Sequence, residues 1–258
     1  MTKGLVKKMV KKKESSIDLS KIADHIHEGH MKMQKSKTGF IKKKSFSPST
    51  LVFGNGHCAR YWYLAFEGNE WEEKNTGINY ANMNTGSSSH ERIQGALEAQ
   101  GILEWQEQEI INEDPPIFGY ADAMVKLEDK LVLLEIKTTK NEAFEYHKAK
   151  GTASTYHIEQ LLIYMKILKQ QVGAIVYENK NTHEICVIPV VANEDYVKFI
   201  EYFFDWMRKV KKAFDDKQFP ERGYRKDSKV CGSCPIEKVC DSRDKGVIKI
   251  ERRKELEC

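Results

Sequence analysis

The stretch FGYADAMVKLEDKLVLLEIKTT, residues 118–139, decides the fold because it predicts two paired β-strands. Apolar residues dominate both 118–125 and 130–139. Glu128 and Asp129 lie between these two runs, and such a short polar link favours a tight turn. The stretch therefore predicts two neighbouring strands joined as a hairpin.

Three charged residues in this hairpin point to a metal site. Alternation along the second strand places Glu135 and Lys137 on the same face of an otherwise apolar run. Burying charge is costly, so an exposed strand end carrying a Glu–Lys pair is the simpler alternative. The hairpin would, however, bring Asp122 beside Glu135. Two carboxylates on one sheet face form a site for a hard divalent cation that polarises a phosphate, and the adjacent lysine would stabilise charge in the transition state.

Three residues on helices could complete this site. His90 lies early in a helix predicted over 86–100, and an imidazole beside carboxylates suggests tolerance of Mn²⁺ alongside Mg²⁺. Gln160 and Tyr164 are four residues apart, so they share one face of a later helix. There they could orient the lysine or a DNA phosphate. Each of the three is an ordinary helical residue when it is taken alone.

The remaining pattern predicts a mixed α/β core. Ser47-Pro48-Ser49 is typical of a helix start, ahead of the aromatic, buried helical residues 50–66. The Asn- and Gly-rich residues 68–85 predict a loop. Further helices are expected at 86–100, 153–170 and 194–214, and further strands at 105–111, 172–178 and 184–191.

Composition and charge exclude several classes of protein. The 258 residues are 40% hydrophobic and 31% charged, which excludes collagen-like, mucin-like and wholly disordered chains. We find no apolar run of the ~18–20 residues that a membrane span requires, and no secretory signal. A reducing, cytoplasmic location is therefore expected.

The net charge of +4 is unevenly distributed, with +9 over residues 1–45, −11 over 46–207 and +6 over 208–258. An acidic centre fits metal binding better than nucleic-acid binding by charge alone. The Lys-rich residues 1–45 predict a flexible arm that is either simply solvated or grips phosphates.

The cysteines form a second candidate site. Cys231-x₂-Cys234-x₅-Cys240 is a tight group, which in a reducing compartment favours metal over disulfides. Three thiolates need a fourth ligand, and Cys58 is the best candidate. Spacing alone leaves both zinc and iron–sulfur open. Of the other two cysteines, we expect Cys186 to lie in the core and Cys258 to be a free thiol at the surface.

The order of these motifs resembles the PD-(D/E)XK nuclease superfamily, specifically its RecB-like branch. That branch shows a helical histidine, Gly-x-x-Asp, Glu-x-Lys and Gln-x-x-x-Tyr, matched here over about residues 86–170. The resemblance implies a restriction-endonuclease-like core and metal-dependent hydrolysis of DNA phosphodiesters. It implies a catalytic group of Lys137, Glu135 and Asp122, supporting roles for Gln160 and Tyr164, and metal ligation by His90, Asp122, Glu135 and the Ile136 backbone carbonyl.

One cysteine before the core and three after it resemble the iron–sulfur nucleases, including the CRISPR-associated spacer-acquisition exonucleases and AddB-type nuclease domains. The resemblance implies a structural 4Fe–4S cluster, in preference to zinc, held by Cys58, Cys231, Cys234 and Cys240. The cluster would tie the two ends of the chain together. The expected organisation is an arm over 1–45, a RecB-like nuclease core over 46–215 that Cys58 links to the cluster, and a cysteine-cluster region over 216–258 packed on the core.

The sequence therefore predicts a stand-alone DNA exonuclease for single strands or duplex ends, dependent on Mg²⁺ or Mn²⁺. The chain lacks the G-x-x-x-x-G-K-[ST] motif of a helicase motor. One alternative is a CRISPR spacer-acquisition nuclease of the same fold. Alternatives of another class are a non-catalytic nucleic-acid-binding protein with a structural Cys₄ zinc site and a zinc-ribbon interaction protein.

Overall fold

A computed structural model describes residues 21–33, 39–243 and 245–253. These residues belong to two compact units. The smaller unit includes residues 21–33 and 75–83, and the larger unit contains the rest. Much of the predicted basic arm and all of Cys258 lie outside the described residues.

A five-stranded mixed sheet forms the centre of the larger unit, in the order β3-β4-β5-β6-β7. Neighbouring strands are antiparallel except for β5 and β6, which are parallel. A separate antiparallel pair joins two short strands. The strands are β1 (Phe40–Ile41), β2 (Asn69–Glu70), β3 (Leu103–Asn112), β4 (Ile117–Leu127), β5 (Lys130–Thr139), β6 (Val172–Asn179) and β7 (Ile185–Val191).

Helices precede, interrupt and follow these strands. The described ones are α1 (Lys21–Met33), α2 (Pro48–Leu51), α3 (Ala59–Glu67), α4 (Gly77–Ala99), α5 (Asn141–Lys150), α6 (Thr155–Ile167), α7 (Glu194–Asp215), α8 (Lys229–Gly232) and α9 (Glu237–Ser242), with a 3₁₀ turn at Gly54–His57. The predicted mixed α/β fold, a central sheet flanked by helices, is confirmed. None of the described helices combines the length and apolar character needed to cross a membrane.

The two faces of the sheet bury different apolar clusters. On one face, Leu133 and Ile175 pack with residues of α6 and α7 such as Leu161 and Phe203. On the other face, Ile93 of α4 packs with a smaller cluster of strand residues. Because α4 carries the histidine and α6 carries the glutamine and tyrosine, this layering brings the predicted motifs to the sheet from both sides.

One predicted loop boundary is wrong, and one helix was not predicted. The loop expected over 68–85 is helical from Gly77 onward, because Thr76 and Asn79 form a reciprocal cap. The Asn79 N–H donates to Thr76 Oγ1 and the Thr76 N–H donates to Asn79 Oδ1, at 3.3 and 2.9 Å. The helix Asn141–Lys150 was not predicted, and Gly151 ends it with a left-handed backbone.

The C-terminal segment folds back on the larger unit. Pro220 pairs with Ile248 through a β-bridge, and the Trp206 indole N–H donates to the Glu251 carbonyl at 2.8 Å. Arg253 is 2% exposed and lies 2.7 Å from Glu159, which precedes Gln160 on α6. The described part of 216–258 therefore contacts the rest of the larger unit. The predicted division into an arm, a core and a cysteine-cluster region remains a prediction.

Candidate active site

Asp122 lies where two strands of the sheet stop pairing. The β4–β5 register runs from Leu127–Lys130 to Ala123–Leu134 and ends there, so Asp122 and Glu135 would form the next pair. Instead, the Ile136 N–H donates to Asp122 Oδ2 at 2.6 Å. A carboxylate thus replaces a backbone partner, and the hairpin brings the two predicted carboxylates together.

The neighbouring strand is also distorted at this point. Glu107 lies opposite Asp122, between the pairs Gln106–Ala123 and Gln108–Ala121, and its φ of 45° is left-handed. On β4, Ala121 and Met124 contact the same core cluster, although strict alternation would place them on opposite faces. The side chains of β4 therefore change face at the candidate site, although the β3–β4 register runs without a shift from Trp105 to Asn112.

His90 contacts both the backbone and the carboxylates. Its Nε2 donates to the Ile136 carbonyl at 2.8 Å, because a carbonyl can only accept. In the neutral imidazole Nδ1 then carries no proton and has a lone pair. This nitrogen lies 3.8 Å from Asp122 Oδ1 and 3.7 Å from Glu107 Oε1. The predicted histidine therefore meets the predicted aspartate together with a glutamate that the sequence reading had not assigned to the site.

Polar contacts fix α4 against the sheet around His90. The Gln94 amide donates at 2.8 Å to both the Asp122 carbonyl and Glu107 Oε1. On β6, Glu178 is 2% exposed and accepts from Ser89 and, at 2.7 Å, from Arg92. These hydrogen bonds hold the pKa of Glu178 below its usual value despite burial. This glutamate is therefore a satisfied charge that fastens the helix carrying His90.

Glu135 has a different environment from Glu178. It is 0% exposed, contacts the Lys137 ammonium through Oε1, and among the described residues its Oε2 has no hydrogen-bond partner. Burial and the Asp122 carboxylate raise the pKa of Glu135 to about 8. Burial likewise raises the pKa of Asp122, against the pull of Lys137 and His90. Burial opposes the charge on Lys137, but the two carboxylates outweigh it and raise the pKa of this lysine.

Tyr164 lies near this carboxylate group and forms a side-chain hydrogen bond with Gln160. Both are buried, and Tyr164 has a raised pKa because of burial and the nearby Glu135 and Asp122 carboxylates. The Tyr164 hydroxyl passes so close to Gly119 that a Cβ there would lie 2.7 Å from the hydroxyl oxygen. The close approach of this tyrosine explains the glycine of the Gly-x-x-Asp motif.

The residues present fit a divalent cation. Ligand atoms of His90, Glu107 and Asp122 all lie within 4.8 Å of one another. An imidazole and carboxylates suit Mg²⁺ or Mn²⁺, whereas the predicted ligand Glu135, with its unpartnered Oε2, is not one of these three residues. Glu107 could have been found from sequence, because counting back from the β3–β4 turn places it opposite Asp122.

The four predicted cluster cysteines line one cavity. Cys58, Cys231, Cys234 and Cys240 surround it, together with residues such as Tyr61 and Arg222. All four are free thiols, and burial raises the pKa of Cys234 to about 12. Cys186 lies on β7 and packs against the core, as expected.

Two arginines border the cysteine-lined cavity. Arg60 is 3% exposed, and its Nη2 donates to the Cys240 carbonyl at 3.0 Å, while Arg222 Nη2 donates to the same carbonyl at 3.3 Å. Burial raises the pKa of the Cys240 thiol, and both guanidinium groups act against that rise. The two positive charges therefore limit the rise in the pKa of this thiol.

One solved structure shares this type of fold at a TM-score of 0.50, and two others match at lower scores. The chain is 14% identical to an alkaline exonuclease (LHK-Exo) from Laribacter hongkongensis, over 67% of this chain and 91% of that one, with a TM-score of 0.50. A complex of LHK-Exo with dAMP is 16% identical to the chain, over 54% of this chain and 72% of that one, with a TM-score of 0.43. The protein SSO0001 is 19% identical, over 85% of this chain and 96% of that one, with a TM-score of 0.47.

A search of curated proteins finds no match. The family model of the PD-(D/E)XK nuclease superfamily matches residues 83–241, which is more than half of the chain. That range contains the histidine, both carboxylates, the lysine and the helical Gln–Tyr pair described above. The chain therefore belongs to the PD-(D/E)XK nuclease superfamily.

Proposed function

We propose that the chain is a divalent-metal-dependent deoxyribonuclease, an exonuclease acting on single-stranded DNA or duplex ends. The observation that carries the proposal is the fully buried Glu135, whose Oε2 has no hydrogen-bond partner among the described residues and which lies beside Asp122 and Lys137. A buried carboxylate in this state is costly unless a cation satisfies it. The exonuclease form follows the sequence resemblance, and an alkaline exonuclease shares the fold.

The proposed roles follow from the contacts. His90, Asp122 and Glu135, with the Ile136 carbonyl, are the proposed metal ligands, and the geometry adds Glu107 to them. When bound, a divalent cation would polarise a phosphate and acidify a neighbouring water. Lys137 would stabilise negative charge on the phosphate, and Gln160 and Tyr164 would hold the carboxylate group and the lysine in position.

A structural 4Fe–4S cluster is proposed at Cys58, Cys231, Cys234 and Cys240. The four cysteines line one cavity, and the preference for this cluster over a tetrahedral zinc site follows the sequence resemblance. Anaerobic purification should give a brown protein containing iron and sulfide, whereas a colourless protein with zinc would contradict this part of the proposal.

The decisive experiment is cleavage of end-labelled DNA. Wild-type protein with Mn²⁺ or Mg²⁺ should shorten single-stranded or duplex DNA from one end, and 5′ and 3′ labels reveal the polarity. Asp122→Asn and Lys137→Ala should each abolish most cleavage, while Asp129→Asn, on an exposed turn, should cut as wild type does. Salt-sensitive binding without cleavage by the wild type would instead favour the non-catalytic alternative.

A further inference from the structure

Three exposed apolar side chains form a continuous patch on β3 and β4. Ile111, Phe118 and Tyr120 are 60%, 39% and 48% exposed. Ile111 is the cross-strand partner of Phe118. The rings of Phe118 and Tyr120 lie 5.5 Å apart, edge to face. Single exposed apolar residues are ordinary, but two touching aromatic rings beside an exposed isoleucine indicate an interaction surface. We call Phe118 and Tyr120 the aromatic platform.

The aromatic platform adjoins the candidate active site. Tyr120 precedes Asp122 by two residues, about 7 Å along an extended strand. Its cross-strand partner is Glu109, two residues from Glu107 on β3. A ligand lying on these rings would therefore be less than two nucleotide lengths from the carboxylates.

Positive charge lies at the other side of the aromatic platform. The Phe118 N–H donates to the Phe46 carbonyl at 2.9 Å, so residues before Phe46 run beside the start of β4. Lys44, two residues earlier, is exposed. It also belongs to the Lys-rich residues 1–45, with their charge of +9. Exposed rings on a strand whose neighbouring segment carries an exposed lysine match the chemistry of an unpaired nucleic-acid strand, which offers base faces and phosphates together.

We infer that the aromatic platform holds single-stranded DNA by base stacking on Phe118 and Tyr120, with Lys44 at a phosphate, and directs the strand toward Asp122. The inference rests on the proposed nuclease function. Paired bases in the interior of a duplex cannot present their faces to these rings, so the platform serves strands that are single or frayed at an end. It is the unpaired bases that this surface recognises.

The test is DNA binding measured without cleavage. Fluorescence anisotropy in EDTA compares a labelled oligothymidine with an abasic oligomer of equal length, which keeps the phosphates but offers no bases. Phe118→Ala and Tyr120→Ala should each weaken oligothymidine binding about 5- to 150-fold, the range expected for one lost base–aromatic stack. Neither should change binding of the abasic oligomer. Tyr120→Trp should retain the affinity, and Lys44→Gln should lower the salt slope for both oligomers.

Tyr146→Ala is the matched control, because Tyr146 is 56% exposed but lies on α5. Equal affinities of wild type and both alanine variants for oligothymidine would overturn the inference, as would equal losses on both oligomers. A change in sedimentation from dimer to monomer with DNA binding unchanged would also overturn it, by making the patch a contact between copies. If wild type stacks bases but cleaves nothing with Mn²⁺, the proposed function fails and the platform stands.

Discussion

Replacing Glu135 by glutamine should stabilise the metal-free protein while abolishing cleavage. Glutamine imitates the protonated carboxyl group, which is the form that burial favours at this position. The variant therefore removes the titration of one group and changes little else in shape. At low pH, where the wild-type carboxyl is already protonated, the two proteins should have similar stability.

The magnitude follows from the shifted pKa. The pKa of Glu135 is about 8 in the folded protein, against an ordinary value of 4.5. Between these values the unfolded chain has lost a proton that the folded protein still holds, so the free energy of unfolding falls as pH rises, by ~1.4 kcal/mol per pH unit. From about pH 5.5 to about pH 8 the wild type would lose ~3 kcal/mol, or ~10 °C in Tm for a chain of this size. Glu135→Gln should not show this loss.

The assay is thermal unfolding in EDTA across that pH range, under argon to preserve any cluster. Glu178→Gln is the matched control, because Glu178 is also a buried glutamate but has a lowered pKa. The charged Glu178 stabilises the fold at pH values above its ordinary pKa of 4.5, and this stabilisation is lost on acidification. Glu178→Gln should therefore be less stable than wild type at about pH 8. Added Mn²⁺ should raise the Tm of wild type most at high pH, because ligation requires the deprotonated carboxylate, and should raise that of Glu135→Gln much less.

One pattern would refute the reasoning. If the difference in Tm between Glu135→Gln and wild type stays constant from about pH 5.5 to about pH 8 in EDTA, then Glu135 does not titrate within that window. The carboxylate would then be held charged by Lys137 alone, and a cation would not be needed to satisfy it.

Three further results are expected. Arg60→Met should weaken retention of the metal cluster about 10- to 100-fold, seen as faster loss of visible absorbance on chelator challenge than in wild type. Gly119→Ala should lower the free energy of unfolding by about 1–3 kcal/mol because the added Cβ meets the Tyr164 hydroxyl, and combining it with Tyr164→Phe should recover part of that loss in a double-mutant cycle. Deleting residues 1–45 should weaken DNA binding and flatten its salt dependence, while isothermal titration with Mn²⁺ should find the metal site intact; unchanged DNA affinity would assign the positive charge of that segment another role.

Local pattern was sufficient to predict the hairpin on which the site depends. Glu128 and Asp129 both adopt the left-handed backbone of a tight turn, with φ of 46° and 65°. The turn fixes the register, and the register brings Asp122 beside Glu135, as the sequence predicted. The pairing of His90 with these residues needed more than periodicity, because α4 reaches the sheet through packing between distant segments. Only the order of the motifs suggested it.

Glu107 can be placed opposite Asp122 by counting across the β3–β4 turn, but alternation within its own strand does not reveal it. Within WQEQEII it is one of several polar residues on an edge strand, and ordinary alternation gives it no special place. Its role depends on the left-handed backbone at φ 45° and on the change of phase in β4 opposite. Both features depend on how the two paired strands fit together. Alternation within a single strand therefore does not predict them.

Two of the buried glutamates, Glu135 and Glu178, show how the structure separates a carboxylate with an unpartnered oxygen from one that the fold satisfies. Both lie on central strands that pair with each other; in the sequence Glu135 lies within an apolar run and Glu178 at the end of one. Glu178 receives hydrogen bonds from Ser89, Arg92 and His183, so its charge is satisfied by the fold itself. One oxygen of Glu135 accepts a hydrogen bond from Lys137, and no described residue donates a hydrogen bond to the other oxygen. A fold that supplies three partners to one carboxylate and withholds them from its neighbour supports the proposal that the second carboxylate, once deprotonated, meets a positively charged ligand.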